Sequence, residues 1–220
     1  MKRILMLVEG QTEENFVRDL LTPHLAQFDI HPTPVLVETK RDKSGLKYKG
    51  GVSNYQKIKR DVVRLLRDTN AVTVTTMLDF YGLPYDFPGR DEARKLVDCQ
   101  EKVVRCEQAF AADINDRRFI PYLMLHEYEA MLFTAPDKIA AEFPEESRLK
   151  ELNAIRAAFT TPEEINDDPN TAPSKRLLNL FGAAYRKPFH GVLIAASIGL
   201  TAICEECRHF REWLTALESL

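Results

Sequence analysis

The chain has 220 residues, with Lys and Arg numbering 30 against 33 Asp and Glu, for a formal net charge of −3. Apolar residues make up 45% and charged residues 29%, which suffices for a core and excludes disorder of the whole chain, while 9 Gly and 12 Pro exclude collagen-like and low-complexity classes. The balance also excludes a nucleic-acid wrapper that is basic over its whole surface, but leaves room for a local basic patch.

Residues 3–8 read as a continuous apolar strand of the kind found inside parallel sheets. The apolar run Ile4 to Val8 is too short for a signal-peptide core, and it meets the carboxylate of Glu9. Gly10 permits a tight turn, Gln11 or Thr12 can cap a helix, and Glu13 and Glu14 then fall in the first turn, where the helix dipole favours acids. Phe16, Val17, Leu20, Leu21 and Leu25 recur at helical spacing and carry that helix to about Gln27. A second strand is predicted over 34–38, followed by a polar, Gly-containing loop. An amphipathic helix over 53–68 follows, with Ile58, Val62, Val63, Leu65 and Leu66 on its apolar side. The β-branched run 72–78 predicts a third strand ending at Asp79. A long helix over 89–111 starts after Pro88. Residues 119–125 form a fourth strand whose Pro121 marks a strand start or a sheet edge, and a further helix opens at His126.

This alternation predicts an α/β fold with a mainly parallel, four-stranded sheet flanked by helices. The α/β domain is expected over 1–135. Residues 136–220, cut into short pieces by Pro136, Pro144, Pro162, Pro169, Pro173 and Pro188, are expected as a helical extension packed on the same domain. No apolar run approaches the ~18 residues that span a bilayer, so no membrane partner is expected. Four Cys in a chain of this length make no disulfide framework, and a cytoplasmic location is expected.

Ligands of open α/β sheets bind outside the carboxyl ends of the strands. Three acidic positions fall there: Glu9 after the first strand, Asp79 after the third, and Glu127 with Glu129 after the fourth. Glu13, four residues after Glu9, lies one helical turn on. Any one of these acids alone reads as a helix cap. Together in one cleft they would repel strongly unless a cation neutralised them, and a hard cation such as Mg2+ or Mn2+ takes oxygen ligands.

Residues 40–60 hold Lys40, Arg41, Lys43, Lys47, Lys49, Lys57, Lys59 and Arg60 against one acid, Asp42. Gly45, Gly50 and Gly51 let a backbone approach an anion, and Tyr48 and Tyr55 are candidates to stack on bases. Phosphate contacts by such residues give salt-dependent, sequence-indifferent binding; a solvated charge run is the plainer alternative. Lys175 and Arg176 follow Ser174, a predicted helix N-cap, and form a second candidate phosphate site. Cys204 and Cys207, with His209 nearby, lack the further ligands that a zinc site needs, and His126-Glu127 lacks the second His of a zincin motif. No Walker A loop, dinucleotide-binding motif or nucleophile elbow occurs.

Val8-Glu9-Gly10-Gln11-Thr12-Glu13 resembles the first motif of Toprim domains in the form seen in OLD-family nucleases. Leu78-Asp79-Phe80-Tyr81-Gly82-Leu83-Pro84 stands where the Toprim Asp motif belongs, and His126 to Phe133 where a later acidic motif belongs. Over nearly its whole length the chain also resembles a bacterial family of uncharacterised Toprim-like proteins. The segments Glu164-Ile165-Asn166-Asp167, Thr171 to Leu177 and Cys207 to Leu214 carry that resemblance. It implies a Toprim-like fold and a metal-dependent phosphodiesterase acting on DNA or RNA, working beside a separate ATPase in phage defence or on mobile elements. Glu9 would manage protons, Asp79 and Glu127 would complete the catalytic set, and Glu9, Glu13, Asp79, Glu127 and Glu129 would supply metal ligands. One departure matters: the Toprim motif has a second Asp where this chain has Tyr81, leaving Asp86 or Glu129 as substitutes. That departure supports the alternative of a catalytically silent regulatory or nucleic-acid-binding subunit of an ATPase complex.

Overall fold

The computed structural model describes residues 1–37, 54–145, 148–165 and 170–220. Strand β1 (Lys2–Val8) lies between β2 (Ile30–Leu36) and β3 (Ala71–Asp79), parallel to both. On the far side of β3 come β4 (Phe119–Ile120) and β5 (Leu123–Met124), also parallel to it. The order is β2-β1-β3-β4, with β5 pairing β3. The mainly parallel α/β architecture expected from the alternation is therefore present.

The fourth predicted strand is two short strands, so the sheet has five strands rather than four. Pro121 sits at the break and has no N–H to give to a ladder. Register is kept across it: Val74 faces Phe119 and Leu78 faces Leu123, the same offset in sequence. The hydroxyl of Thr76 fills the gap. It donates to the Tyr122 carbonyl at 2.9 Å and accepts from the Tyr122 N–H at 2.9 Å.

After β1, a helical stretch runs through α1 (Gln11–Phe16), a π-helical turn (Val17–Leu21), α2 (Thr22–Leu25) and a 3-10 turn to Phe28. The wide turn stands just before Pro23, whose ring cannot fit an ordinary α-helical turn. Strand β2 begins four residues earlier than predicted. It carries Pro32 and Pro34, which an edge strand tolerates. Helix α3 (Tyr55–Leu66) buries Ile58, Val62, Leu65 and Leu66, as its spacing predicts.

The single helix predicted over 89–111 is two helices, α4 (Arg90–Ala93) and α5 (Cys99–Ile114). The reason is Asp98, whose carboxylate accepts the Glu101 N–H at 2.8 Å and starts a new helix. The helix expected from His126 is a 3-10 helix over Tyr128–Thr134. There follow α6 (Pro136–Ala141), α7 (Leu149–Ala157), a 3-10 turn Pro162–Glu164, α8 (Pro173–Phe181), α9 (Lys187–Ile198), α10 (Leu200–Glu206) and α11 (Arg208–Glu218).

The alternation of side chains along β1 splits the core in two. Leu5 and Leu7 join Val74 and Leu78 against α3 and α5. Ile4, Met6 and Val8 face the other way, packing with Phe16 and Leu21 and with residues of the C-terminal part such as Ile139, Leu177, Ile194 and Phe210. The single Trp213 lies at that junction. Its indole N–H donates to Thr75 Oγ1 at 2.9 Å, and its ring stacks on Tyr122 at 4.3 Å. Among the described residues no single helix is long and apolar enough to cross a membrane; α9 and α10 would qualify only as a pair, bent by 85°.

Candidate functional site

Parallel pairing puts the carboxyl ends of β1, β3 and β5 on one rim, and the predicted acids stand there. Glu9 follows β1 directly. Its Oε2 accepts the Asp79 backbone N–H at 3.3 Å, which ties the ends of β1 and β3 together. The turn of Phe80–Gly82 lies over the same carboxylate: a Cβ built on Gly82 would stand 3.4 Å from Glu9 Oε1. Asp79 is buried, and its Oδ1 accepts the Tyr128 N–H at 3.1 Å. Glu13 is buried and turns back, accepting the Gly10 N–H at 2.9 Å, the reciprocal half of a capping box.

The two later acids are held more tightly. Glu127 accepts the Ser174 N–H at 2.8 Å on one oxygen and the Ser174 hydroxyl at 3.0 Å on the other. This alters the expectation for the second basic pair. Ser174 lies inside α8 and is not its N-cap, which is Ala172. The first turn of that helix already receives an anion, and the anion is Glu127. Lys175 is exposed, whereas the Arg176 guanidinium donates to the Thr171 carbonyl at 2.6 Å and lies over the Phe159 ring.

Glu129 is fully buried. It accepts the Tyr185 hydroxyl at 3.3 Å and pairs with Lys187 at 3.0 Å. Lys187 is the residue that the sequence reading missed. It begins α9, more than fifty residues after Glu129, and Pro188 beside it read only as a helix breaker. No spacing rule links the two positions.

The electrostatics follow from this crowding. Burial pushes the Glu9 carboxyl up from its ordinary range, and the charge of Glu13 adds to the effect. Asp79 is raised further, by burial first and then by Glu9. Burial also raises Glu129, with Lys187 opposing it. Burial works against the Lys187 ammonium, but Glu129, Asp79, Glu13 and Glu127 outweigh it and hold Lys187 well above the usual lysine value. Lys187 also draws Glu9 down, so one lysine faces five carboxylates.

The donor set is carboxylate throughout, which suits a hard, oxygen-loving cation better than a soft one. One oxygen each of Glu9, Glu13 and Asp79 accepts a backbone N–H, which leaves the other oxygen of each carboxylate for a ligand. Those other oxygens are the atoms a cation would meet first. No group of three or more His, Cys, Asp or Glu is already placed as a metal cage among those residues. A bound cation would therefore have to draw these side chains inward.

Other candidates do not join the rim. Asp86 accepts the Tyr55 N–H at 2.9 Å at the start of α3. Tyr55 is buried between Phe87 and Phe110, with its hydroxyl donating to Asp113, so it cannot stack on a base. Lys40, Arg41, Lys43, Lys47 and Lys49 lie outside the described residues, as does Tyr48. The four cysteines are free thiols, and His209 pairs with Glu107 at 3.0 Å and stacks on Tyr122.

Comparison with solved structures finds the C-terminal region of the OLD protein of Xanthomonas campestris pv. campestris. One structure, phased with mercury, is 18% identical, covers 100% of this chain and 96% of its own, and has a TM-score of 0.44. A second, phased with platinum, is 19% identical, with coverages of 98% and 95% and a TM-score of 0.41. No curated protein matches the chain. A family model described as "Domain of unknown function (DUF4276)" matches residues 8–218, and the chain belongs to that family.

Proposed function

We propose that this protein is a divalent-cation-dependent phosphodiesterase acting on DNA or RNA. The observation that carries the reading is the meeting of Glu9 and Asp79 at the ends of adjacent parallel strands, where the half-buried Glu9 carboxylate accepts the backbone N–H of the buried Asp79 at 3.3 Å. A carboxyl raised toward neutrality by burial can exchange protons with water near physiological pH. Glu9 would take a proton from the attacking water as the water oxygen bonds to phosphorus, the ester P–O bond would break, and the leaving oxygen would take a proton from solvent, to which Glu9 later returns its own. Glu9, Glu13 and Asp79 would hold Mg2+ or Mn2+, with Glu127 and Glu129 completing the acidic surround; such a cation supplies Lewis-acid stabilisation of charge on phosphate oxygens. The exposed Lys175, with the basic residues Lys40 to Lys49, would contact phosphates. The separate ATPase and the phage-defence setting implied by the Toprim resemblance belong to the same proposal.

The test is cleavage of plasmid and single-stranded substrates with Mg2+ or Mn2+. Glu9→Gln and Asp79→Asn are each expected to lower the rate by about 10²–10⁴-fold. Equal cleavage by wild type and both variants would mark a contaminating nuclease and remove the proposal. A second reading, a silent regulatory subunit, is favoured by the engagement of Glu127 and Glu129 with Ser174 and Lys187 and by Tyr81 in place of an acid. Absence of cleavage with either metal, with or without a partner ATPase, would favour it.

A further inference from the structure

The geometry points to a nucleobase-stacking platform formed by Tyr81 and Tyr85 on the segment that leaves Asp79. This inference rests on the phosphodiesterase reading and names how its substrate would be held: as an unpaired base of a single strand, laid on a tyrosine ring beside the acidic rim.

Tyr81 is 40% exposed and Tyr85 is 82% exposed, although both stand on a segment that is otherwise firmly seated. On one side of Tyr85, Leu83 is buried and Gly82 closes on the Glu9 carboxylate. On the other side, Phe87 is buried against Tyr55 at 5.3 Å and Phe110 at 5.0 Å. Gly89 then turns the chain with a φ of 77°, in a spot where a Cβ would meet the Arg105 carbonyl at 2.9 Å. Arg90 reaches back and donates to the carbonyls of Leu83 and Pro84. An aromatic ring left in water on a clamped backbone has little conformational freedom to lose when a flat ligand covers it.

The charge beside the ring indicates which flat ligand. The Arg90 guanidinium lies 5.1 Å from the Tyr85 ring centroid and that of Arg94 5.5 Å. Arg94 also pairs loosely with Asp91, at 3.6 Å. A phosphodiester strand combines a planar base with an anion one sugar away; the guanidinium groups over the Tyr85 ring suit the anion, and the rest of the exposed ring is left to the base. The location matches as well. Tyr81 is two residues past Asp79, and its N–H donates to the His126 carbonyl at 3.4 Å, next to Glu127.

The test uses the full chain in EDTA, with 12-nucleotide single strands carrying one 2-aminopurine, in DNA and RNA forms. Wild type should quench the 2-aminopurine on binding. Tyr85→Phe should bind as wild type, because the ring is kept. Tyr85→Ala should bind roughly tenfold more weakly and lose much of the quenching, with a smaller loss for Tyr81→Ala. Both positions are exposed, so the variants should fold. The stronger of the DNA and RNA arms identifies the strand. Failure of wild type to bind either strand, or equal binding and quenching by wild type and a Tyr81→Ala, Tyr85→Ala double variant, would overturn the platform. The two proposals separate cleanly. Glu9→Gln should abolish cleavage while leaving the quenching intact, and quenching without cleavage in any metal would sink the phosphodiesterase alone.

Discussion

Glu129 has no contact with solvent, and its charge is met by Lys187 at 3.0 Å and the Tyr185 hydroxyl at 3.3 Å. Removing the lysine would leave a buried carboxylate among other carboxylates. The Lys187 side chain is 38% exposed, so solvent screens part of the pair, and Lys187→Met is expected to cost about 1–3 kcal/mol in urea unfolding at pH 7.5, with Glu129→Gln in the same chain recovering part of that loss. A variant as stable as wild type would show the pair to be inert. The acids of the rim also set a pH dependence. Burial holds Glu9, Asp79 and Glu129 above their ordinary values of 4.5, 3.8 and 4.5. Each therefore binds its proton more tightly folded than unfolded. The stability this gives is complete below those ordinary values and is lost as the pH climbs through the raised folded ones. Asp79→Asn removes one such group and its repulsion with Glu9. The variant should melt a few degrees above wild type at pH 8, with the gap closing toward pH 4. A gap that widens on acidification would contradict the raised state of Asp79.

At the scale of elements, the strands were legible because apolar and β-branched runs mark them, and their carboxyl ends placed Glu9, Asp79 and Glu127 on one rim without further information. The breaks were not legible. Asp98 falls inside the helix predicted over 89–111, yet its side chain starts α5. Pro121 marks a strand start or a sheet edge in the sequence, but the compensation for it comes from a different strand. The Thr76 hydroxyl serves both backbone groups of Tyr122 in a buried setting. Thr76→Val keeps the shape of the side chain and removes both bonds. It is expected to destabilise the fold by about 2–4 kcal/mol, measured by denaturant unfolding, with Thr76→Ser closer to wild type. The anchoring of Glu127 by Ser174 and of Glu129 by Lys187 was hidden for a related reason. These contacts join positions more than forty residues apart, and periodicity reports only on neighbours.

Over the whole molecule, one face of the sheet is covered by its own crossover helices and the other largely by the C-terminal helices, so the later half completes a core that β1 begins. Trp213 reports on that junction because it is the only tryptophan and touches both Thr75 and Tyr122. Its emission should shift red in the same urea transition that removes the far-ultraviolet helical signal. Two separated transitions would mean that residues 136–220 fold as an independent unit. The same seam decides how the rim behaves. Its acids come from the first half of the chain and the beginning of the second, but the ammonium that calms them rides on α9. Were α9 to lift away, five carboxylates would be left without their counter-charge, and the strand ends would either pick up protons or spread apart. The seating of a distant helix is thus the hidden condition under which the strand ends can keep their negative charge in one place.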